Sequence, residues 1–316
     1  MRWLDWLTQA LEVVAALAAA PLFLGWINQC RAWLSNRTAP SVLQPYRGIR
    51  KLFHKDAVLA TGASPLFRLA PYVVFATMVL AAAVIPSMGT RLPFTPVADA
   101  IALVGLLATA RVFLSLAAMD IGTAFGTLGA RREMMIGFLA EPALLMVIFV
   151  AALSSDTTAL PGIAERLATQ PLALYPSIAF TGVAFTMVLL AENARIPVDN
   201  PATHLELTMI HEAMLLEYSA RHLALMEWAA ALKLFNYACI GFALFLPWGV
   251  VGTGQGPEAL ALALPVLALK LLIAGVGLAL IETVSAKLRV FRAPEFLATA
   301  FLFAVLGLLV RLLLGA

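Results

Sequence analysis

Apolar residues run through this chain in eight long, nearly uninterrupted stretches, roughly 8–29, 70–89, 97–119, 134–154, 173–191, 229–250, 259–283 and 295–315. A helix needs about 20 such residues to cross the hydrocarbon core of a bilayer. Barrel strands would instead alternate apolar and polar positions with a period of two. The pattern therefore predicts an all-α, polytopic membrane protein with about eight transmembrane helices. The longest connections are about 40 residues, so the chain reads as one membrane domain over 1–316. Composition agrees: 62% of residues are hydrophobic and 12% charged, against about 25% charged in soluble domains.

The polar positions orient the bundle. Between the first two stretches lie Arg31, Arg37, Arg47, Arg50, Lys51, Lys55 and Arg68, opposed only by Asp56. Basic residues collect in cytoplasmic loops, so the loop 30–69 is expected in the cytoplasm. Alternation puts Arg131, Arg132, Arg195, Arg221, Lys287, Arg289 and Arg292 on the same side. The other side keeps Arg2, Arg91, Arg166 and Arg311, a split of fourteen to four that places both termini outside. Beside membrane helices this basic loop is a topological signal, and no nucleic acid is expected as a partner. Glu12, and apolar character continuing through Trp26, favour an uncleaved first span over a signal peptide.

Several local signals are read and narrowed. Ile49, Leu52 and Phe53 fall at helical spacing inside RGIRKLFHK, which predicts a short interfacial helix. The glycine-rich run Ile121–Gly129 lacks the Lys-Ser/Thr pair of a phosphate loop and is read as close helix packing or a tight turn. Asn200-Pro201 and Thr203 with Glu206 compete as caps of a helix starting near 200–204 and running toward Tyr218. His211-Glu212 is followed by Leu215 where a zinc protease motif needs histidine. His204, His211 and His222 are read as loop residues. Cys30 and Cys239 are too few and too distant to hold a zinc or iron–sulfur site, so no metal site is expected in this chain.

Ionisable residues within or beside the spans carry the chemistry. Glu141, Glu192 and Glu282 fall in or at the ends of spans, as do Arg111, Lys233 and Lys270. The segment from Ala191 to Ala220 adds Asp199, Glu206, Glu212 and Glu217. A charge at bilayer depth costs about 2.5–3.5 kcal/mol or more, so these groups are expected to face the bundle interior, paired or hydrated. Burial moves carboxylates and lysines toward the range where they exchange protons near neutral pH. For any one of these residues structural pairing and proton conduction both stay open; for the set together with the acidic segment, proton conduction is the favoured reading.

Four motifs give the chain a family likeness. The first loop shows Asn36-Arg37, Pro40, Val42-Leu43-Gln44, Tyr46-Arg47 and Lys51-Leu52. Next come Leu128-Gly129-Ala130-Arg131-Arg132-Glu133 and Glu141-Pro142. The third is Glu192, Arg195, Pro197, Asp199, Glu206-Leu207 and Glu217-Tyr218-Ser219; the fourth is Lys270, Glu282 and Lys287-Leu288-Arg289. With these the chain resembles the complex I subunit 1 family, the quinone-site membrane subunit of respiratory NADH dehydrogenase. It resembles still more the anchor subunits of membrane-bound group 4 nickel–iron hydrogenases, such as formate hydrogenlyase and hydrogenase-4. Ala39 and Ser41 replace the glycines usual around the first-loop proline. Ala202 and His204 stand where complex I favours glutamates, which favours the hydrogenase-like branch.

The resemblance implies a membrane subunit of a redox-driven, proton-translocating complex in a bacterial or archaeal cytoplasmic membrane. Arg37, Gln44, Tyr46, Arg47, Lys51, Arg131, Arg132, Arg195 and Arg289 would dock a peripheral arm of hydrogenase-like large and small subunits and iron–sulfur proteins. Glu141, Glu192, Asp199, Glu206, Glu212, Glu217, Lys233, Lys270 and Glu282 would couple that arm to antiporter-like membrane subunits. Nickel–iron and iron–sulfur centres would belong to the partners, with none bound by this chain. A quinone-site subunit of a true complex I and a stand-alone proton or cation transporter are the competing expectations.

Overall fold

The computed structural model describes residues 2–90, 92–94, 99–169, 176–199, 210–252, 257–286, 288 and 292–314. Among the described residues eight long helices carry the chain back and forth: α1 (Arg2–Leu34), α3 (Pro65–Val84), α4 (Ala100–Asp120), α5 (Ala124–Ser155), α7 (Pro176–Glu192), α9 (Ala220–Phe245), α10 (Pro257–Val284) and α11 (Ala293–Leu314). Seven are long and apolar enough to cross a membrane; α7, with 17 residues, is the short apolar one and sits at the lower limit of spanning length. Three shorter helices lie between them: α2 (Gln44–Phe53), α6 (Leu160–Thr169) and α8 (His211–Leu215).

Local chemistry places several of the boundaries. Ser64 accepts the Leu66 N–H at 3.1 Å and is followed by Pro65, an N-cap with proline in the first turn that starts α3. Asp99 does the same for α4 through Ile101 N–H at 3.3 Å. The glycine-rich run divides as its residues dictate. Gly122 takes a positive φ of 73° in the turn, and Gly126 and Gly129 are already inside α5. Thus α5 starts at 124 rather than near 134, and α9 at 220 rather than 229. The first turns of both helices are polar yet helical, with Glu133 and His222 buried and Arg131 and Arg221 exposed.

Because the spans are apolar all round, small residues decide which face packs. On α5, Gly126, Ala130, Glu133, Gly137, Ala140, Leu144 and Val147 form one buried stripe at three- and four-residue steps. The packed pairs run α10 on α1, α1 on α9, α9 on α3, α3 on α4, α4 on α5, then α5 and α7 with α11. Helix α9 is the most enclosed: 72% of its most apolar window is buried, against 28% for α10 and 22% for α11. Side chains on the inner face of α9 therefore meet those of several helices at once, which is where the ionisable groups gather.

Candidate functional site

Arg111 is the hub. It lies on α4, 6% exposed, and its planar guanidinium offers five donors in fixed directions. Nε reaches Glu133 Oε1 at 3.3 Å, one terminal nitrogen pairs with Glu141, and the other pairs with Glu192. Glu192 Oε2 also binds Lys233 Nζ at 3.0 Å, and Tyr237, fully buried one turn further along α9, lies against Glu192. Gly137 makes the arrangement possible, since a Cβ there would strike the Arg111 guanidinium. Glu133 and Glu192 are enclosed, whereas the Glu141 side chain, near the middle of α5, keeps 34% exposure.

From Glu133 the network continues toward the 191–220 segment. His211 places Nε2 3.1 Å from Glu133 Oε2 and Nδ1 3.5 Å from Asp199 Oδ2. The same Asp199 oxygen accepts the backbone N–H groups of Ile210 and His211, each at 3.3 Å. Burial by itself would lower the His211 pKa, but Glu133 and Asp199 outweigh it and push it up to about 9. Gly129 lets α8 come this close, because a Cβ there would press on Ile210 O and the Ala213 and Met214 side chains. His211 thus opens a short helix and His222 is buried within α9. The reading of both as loop residues is corrected by the segment folding back against α5 and α3.

A second ion cluster closes the α1–α10 corner. Glu282 pairs with Arg195 Nη1 at 3.1 Å and Arg31 Nη1 at 3.6 Å. A cavity of about 820 Å³ extends from it beneath α2, with Arg47, Lys51, Asp199, His211, Glu212 and Glu227 among its lining residues.

The remaining expected site residues are scattered. Arg37, Gln44, Arg47, Lys51 and Arg131 are exposed, and Arg132 is half-buried. Tyr46 turns inward and its hydroxyl donates to Ala18 O. Arg195 is likewise turned inward onto Glu282. Lys270 stands apart from the network, with Nζ donating to Leu246 O at 2.6 Å and to Trp248 O across the α9–α10 turn. Glu212 and Glu217 are exposed. Their neighbours fasten the segment: Tyr218 stacks on Phe67 with centroids 4.0 Å apart and donates to Phe67 O, while Ser219 exchanges hydrogen bonds with the Val58 backbone. Glu206, Arg289, His204 and the helix expected to start near 200–204 lie outside the described residues. Among the described residues no His, Cys, Asp and Glu group is arranged to hold a metal.

Sequence reasoning left Glu133 and His211 out of the site. The signal for Glu133 was present: it falls on the small-residue stripe of α5, whereas Glu141 falls beside it. No comparable local signal marked His211, whose partners come from positions 133 and 199.

Comparison with known proteins supports the likeness that the motifs suggested. The family model for NADH dehydrogenase matches residues 8–313. Formate hydrogenlyase subunit 4 of Escherichia coli (strain K12) is 32% identical over 297 residues, covering 94% of this chain and 95% of that protein. Hydrogenase-4 component C of the same strain is 36% identical over 241 residues, 75% and 74% of the two chains. A chain of the membrane-bound sulfane sulfur reductase, an archaeal respiratory membrane complex, superposes with a TM-score of 0.83 at 21% identity, covering 96% and 98%. That last likeness speaks to the fold. The chain belongs to the NADH dehydrogenase family, as a multi-pass membrane subunit of the complex I-like and group 4 hydrogenase-like kind.

Proposed function

We propose that this chain couples a peripheral electron-transfer arm to proton movement in the membrane, passing protons through the Arg111 network. One observation carries the reading. Four carboxylates, Glu133, Glu141, Glu192 and Asp199, face three cations, Arg111, Lys233 and His211, along one continuous chain of ion pairs. The set is one positive charge short of neutrality, a deficit that a single proton fills. Its two ends also suit the role. His211 and Asp199 border the cavity beneath α2, and Glu141 opens sideways at bilayer depth. An uncovered carboxylate is costly there, and a polar group of a second membrane subunit would relieve it. The proposed partners follow from the relatives: hydrogenase-like large and small subunits with iron–sulfur proteins on the exposed Arg37, Arg47, Lys51 and Arg131 surface, and antiporter-like subunits at the Glu141 face. Nickel–iron and iron–sulfur centres are assigned to those partners.

The network's energetics make titration a sensitive lever. Removing one partner of a buried ion pair strands the other, at a cost of about 3–5 kcal/mol. A redox-driven change in the hold of Asp199 on His211 would therefore redistribute charge as far as Glu141.

The test is substitution in the assembled complex. Glu141→Gln and Glu192→Gln retain shape and much of the hydrogen bonding but cannot titrate. Protons moved per electron transferred in vesicles are expected to fall at least severalfold. Wild-type stoichiometry in both variants would reduce the chain to an anchor. Mass spectrometry of the purified complex separates the competing readings: a chain that pumps with no redox partner bound is a transporter, and quinone-dependent electron transfer points to a complex I-type subunit.

A further inference from the structure

A further buried carboxylate lies toward the N-terminal end of α1, across the span from the Arg31–Glu282 cluster. Along α1 from Arg31 back to Glu12 the helix rises about 28 Å, close to the thickness of the hydrocarbon core. Glu12 is 1% exposed, and its Oε1 accepts the backbone N–H groups of Met88 and Gly89, both at 2.8 Å. That stretch is laced to the α9–α10 connection, with Val251 N–H donating to Met88 O at 2.7 Å and Thr90 N–H to Val251 O at 3.0 Å.

The other carboxylate oxygen is the informative one. Ser87 also brings its N–H and hydroxyl toward the Glu12 carboxyl, yet Oε2 is enclosed with no donor in hydrogen-bonding geometry among the described residues. One turn earlier on the same helix face, Gln9 is 4% exposed. Its Nε2 donates to Ala83 O at 2.9 Å, which fixes the amide's orientation and leaves Oε1 as an acceptor. Gln9 Oε1 is also enclosed and unmet. Residues three apart on a helix are neighbours, and buried acceptors are rarely left without a donor. A single hydrogen meets both: a proton on Glu12 Oε2 donates to Gln9 Oε1, directly or through one water.

We propose that Gln9 and Glu12 form a proton-binding site at the far end of the bundle, from which the proton taken up at the His211 end is released. The release role rests on the function proposed above; the binding site does not. Lys233, Asn236 and Cys239 follow one another at three-residue steps along α9 and mark a path between the two ends. Asn236 is fully buried, donates to Met78 O at 2.9 Å, and has its Oδ1 unmet. Cys239 is within electrostatic reach of both Glu12 and Lys270. Ser87 lies beside the Glu12 carboxyl and is partly exposed, which makes it the outlet. Of the other elements against α1, α10 brings Lys270 behind Cys239, α3 brings the Ala83 carbonyl, and α2 brings Tyr46, committed to Ala18 O.

Glu12→Gln tests this without breaking the fold. Gln supplies an N–H where the proton is placed and an oxygen for Met88 and Gly89. In the purified complex, pH-dependent infrared difference spectra should contain a protonated-carboxyl stretch that Glu12→Gln abolishes and Glu192→Gln retains. Hydrogen exchange at the Met88 and Gly89 amides should speed up in Glu12→Ala and stay slow in Glu12→Gln. In vesicles, protons moved per electron should fall in Glu12→Gln. Absence of a Glu12 carboxyl band overturns the site whatever Glu192→Gln does. A band that disappears on adding Na⁺ at constant pH overturns it in favour of a metal cation. Wild-type pumping by Glu12→Gln overturns the release role. Normal pumping by Glu192→Gln alongside an intact Glu12 band sinks the proposed function and leaves the binding site standing.

Discussion

At His211, the charges of Glu133 and Asp199 outweigh burial, so the folded-state pKa of about 9 lies above the ordinary 6.5. The sign follows directly. Stabilisation of the 199–211 contact is complete below pH about 6.5 and is lost as pH rises through about 9. Limited proteolysis within 193–219 is expected to accelerate over that interval in the wild type. His211→Gln should cut equally fast at both ends of the range, and a pH-independent wild type would contradict the assignment. Nothing local in sequence marks this residue's role, because its two partners are brought together only when α5 and the 191–220 segment pack.

Among the helices, the α4–α5 pair holds the hub. Gly137 is the position where α5 gives way to the Arg111 guanidinium, which three carboxylates pin in place. Overpacking of this kind costs about 1–3 kcal/mol. Gly137→Ala is expected to lower the thermal midpoint of the detergent-solubilised chain, whereas Gly105→Ala on α4, where a Cβ meets nothing within 4 Å, should leave it unchanged or raise it slightly, because alanine is the better helix former. Equal effects would mean that the close approach to Arg111 does not constrain position 137. The Glu217-Tyr218-Ser219 motif divides along similar lines: the tyrosine and serine tie the segment to α3 and the first loop, and the glutamate remains exposed.

For the molecule as a whole, charge asymmetry predicts that both termini and the α5–α7 connection lie outside, with α2 and α8 in the cytoplasm. The two native cysteines are buried, so single introduced cysteines report cleanly. Asp156→Cys, at an exposed turn after α5, should react with a membrane-impermeant reagent added to intact cells. Lys55→Cys should react only after the membrane is opened. The reverse pattern would move the docking surface and the Glu12 site to the opposite faces from those proposed.

Hydropathy alone determined the class and the number of long helices, because crossing hydrocarbon demands about 20 apolar residues whatever the packing. The same residue chemistry located the short helix α2 and the glycine turn at 122, since both are local in sequence. It also located most of the buried charges, because a charge within an apolar span stands out wherever it points. Which charges meet was decided only in three dimensions. A guanidinium at 111 gathers carboxylates from 133, 141 and 192, and a span that is apolar on every side has no hydropathy period to say which elements its inward face will meet. For the same reason Glu12 reads in sequence only as an interruption of the first span, and becomes a site once the fold sets Gln9, Ala83, Met88 and Gly89 around it.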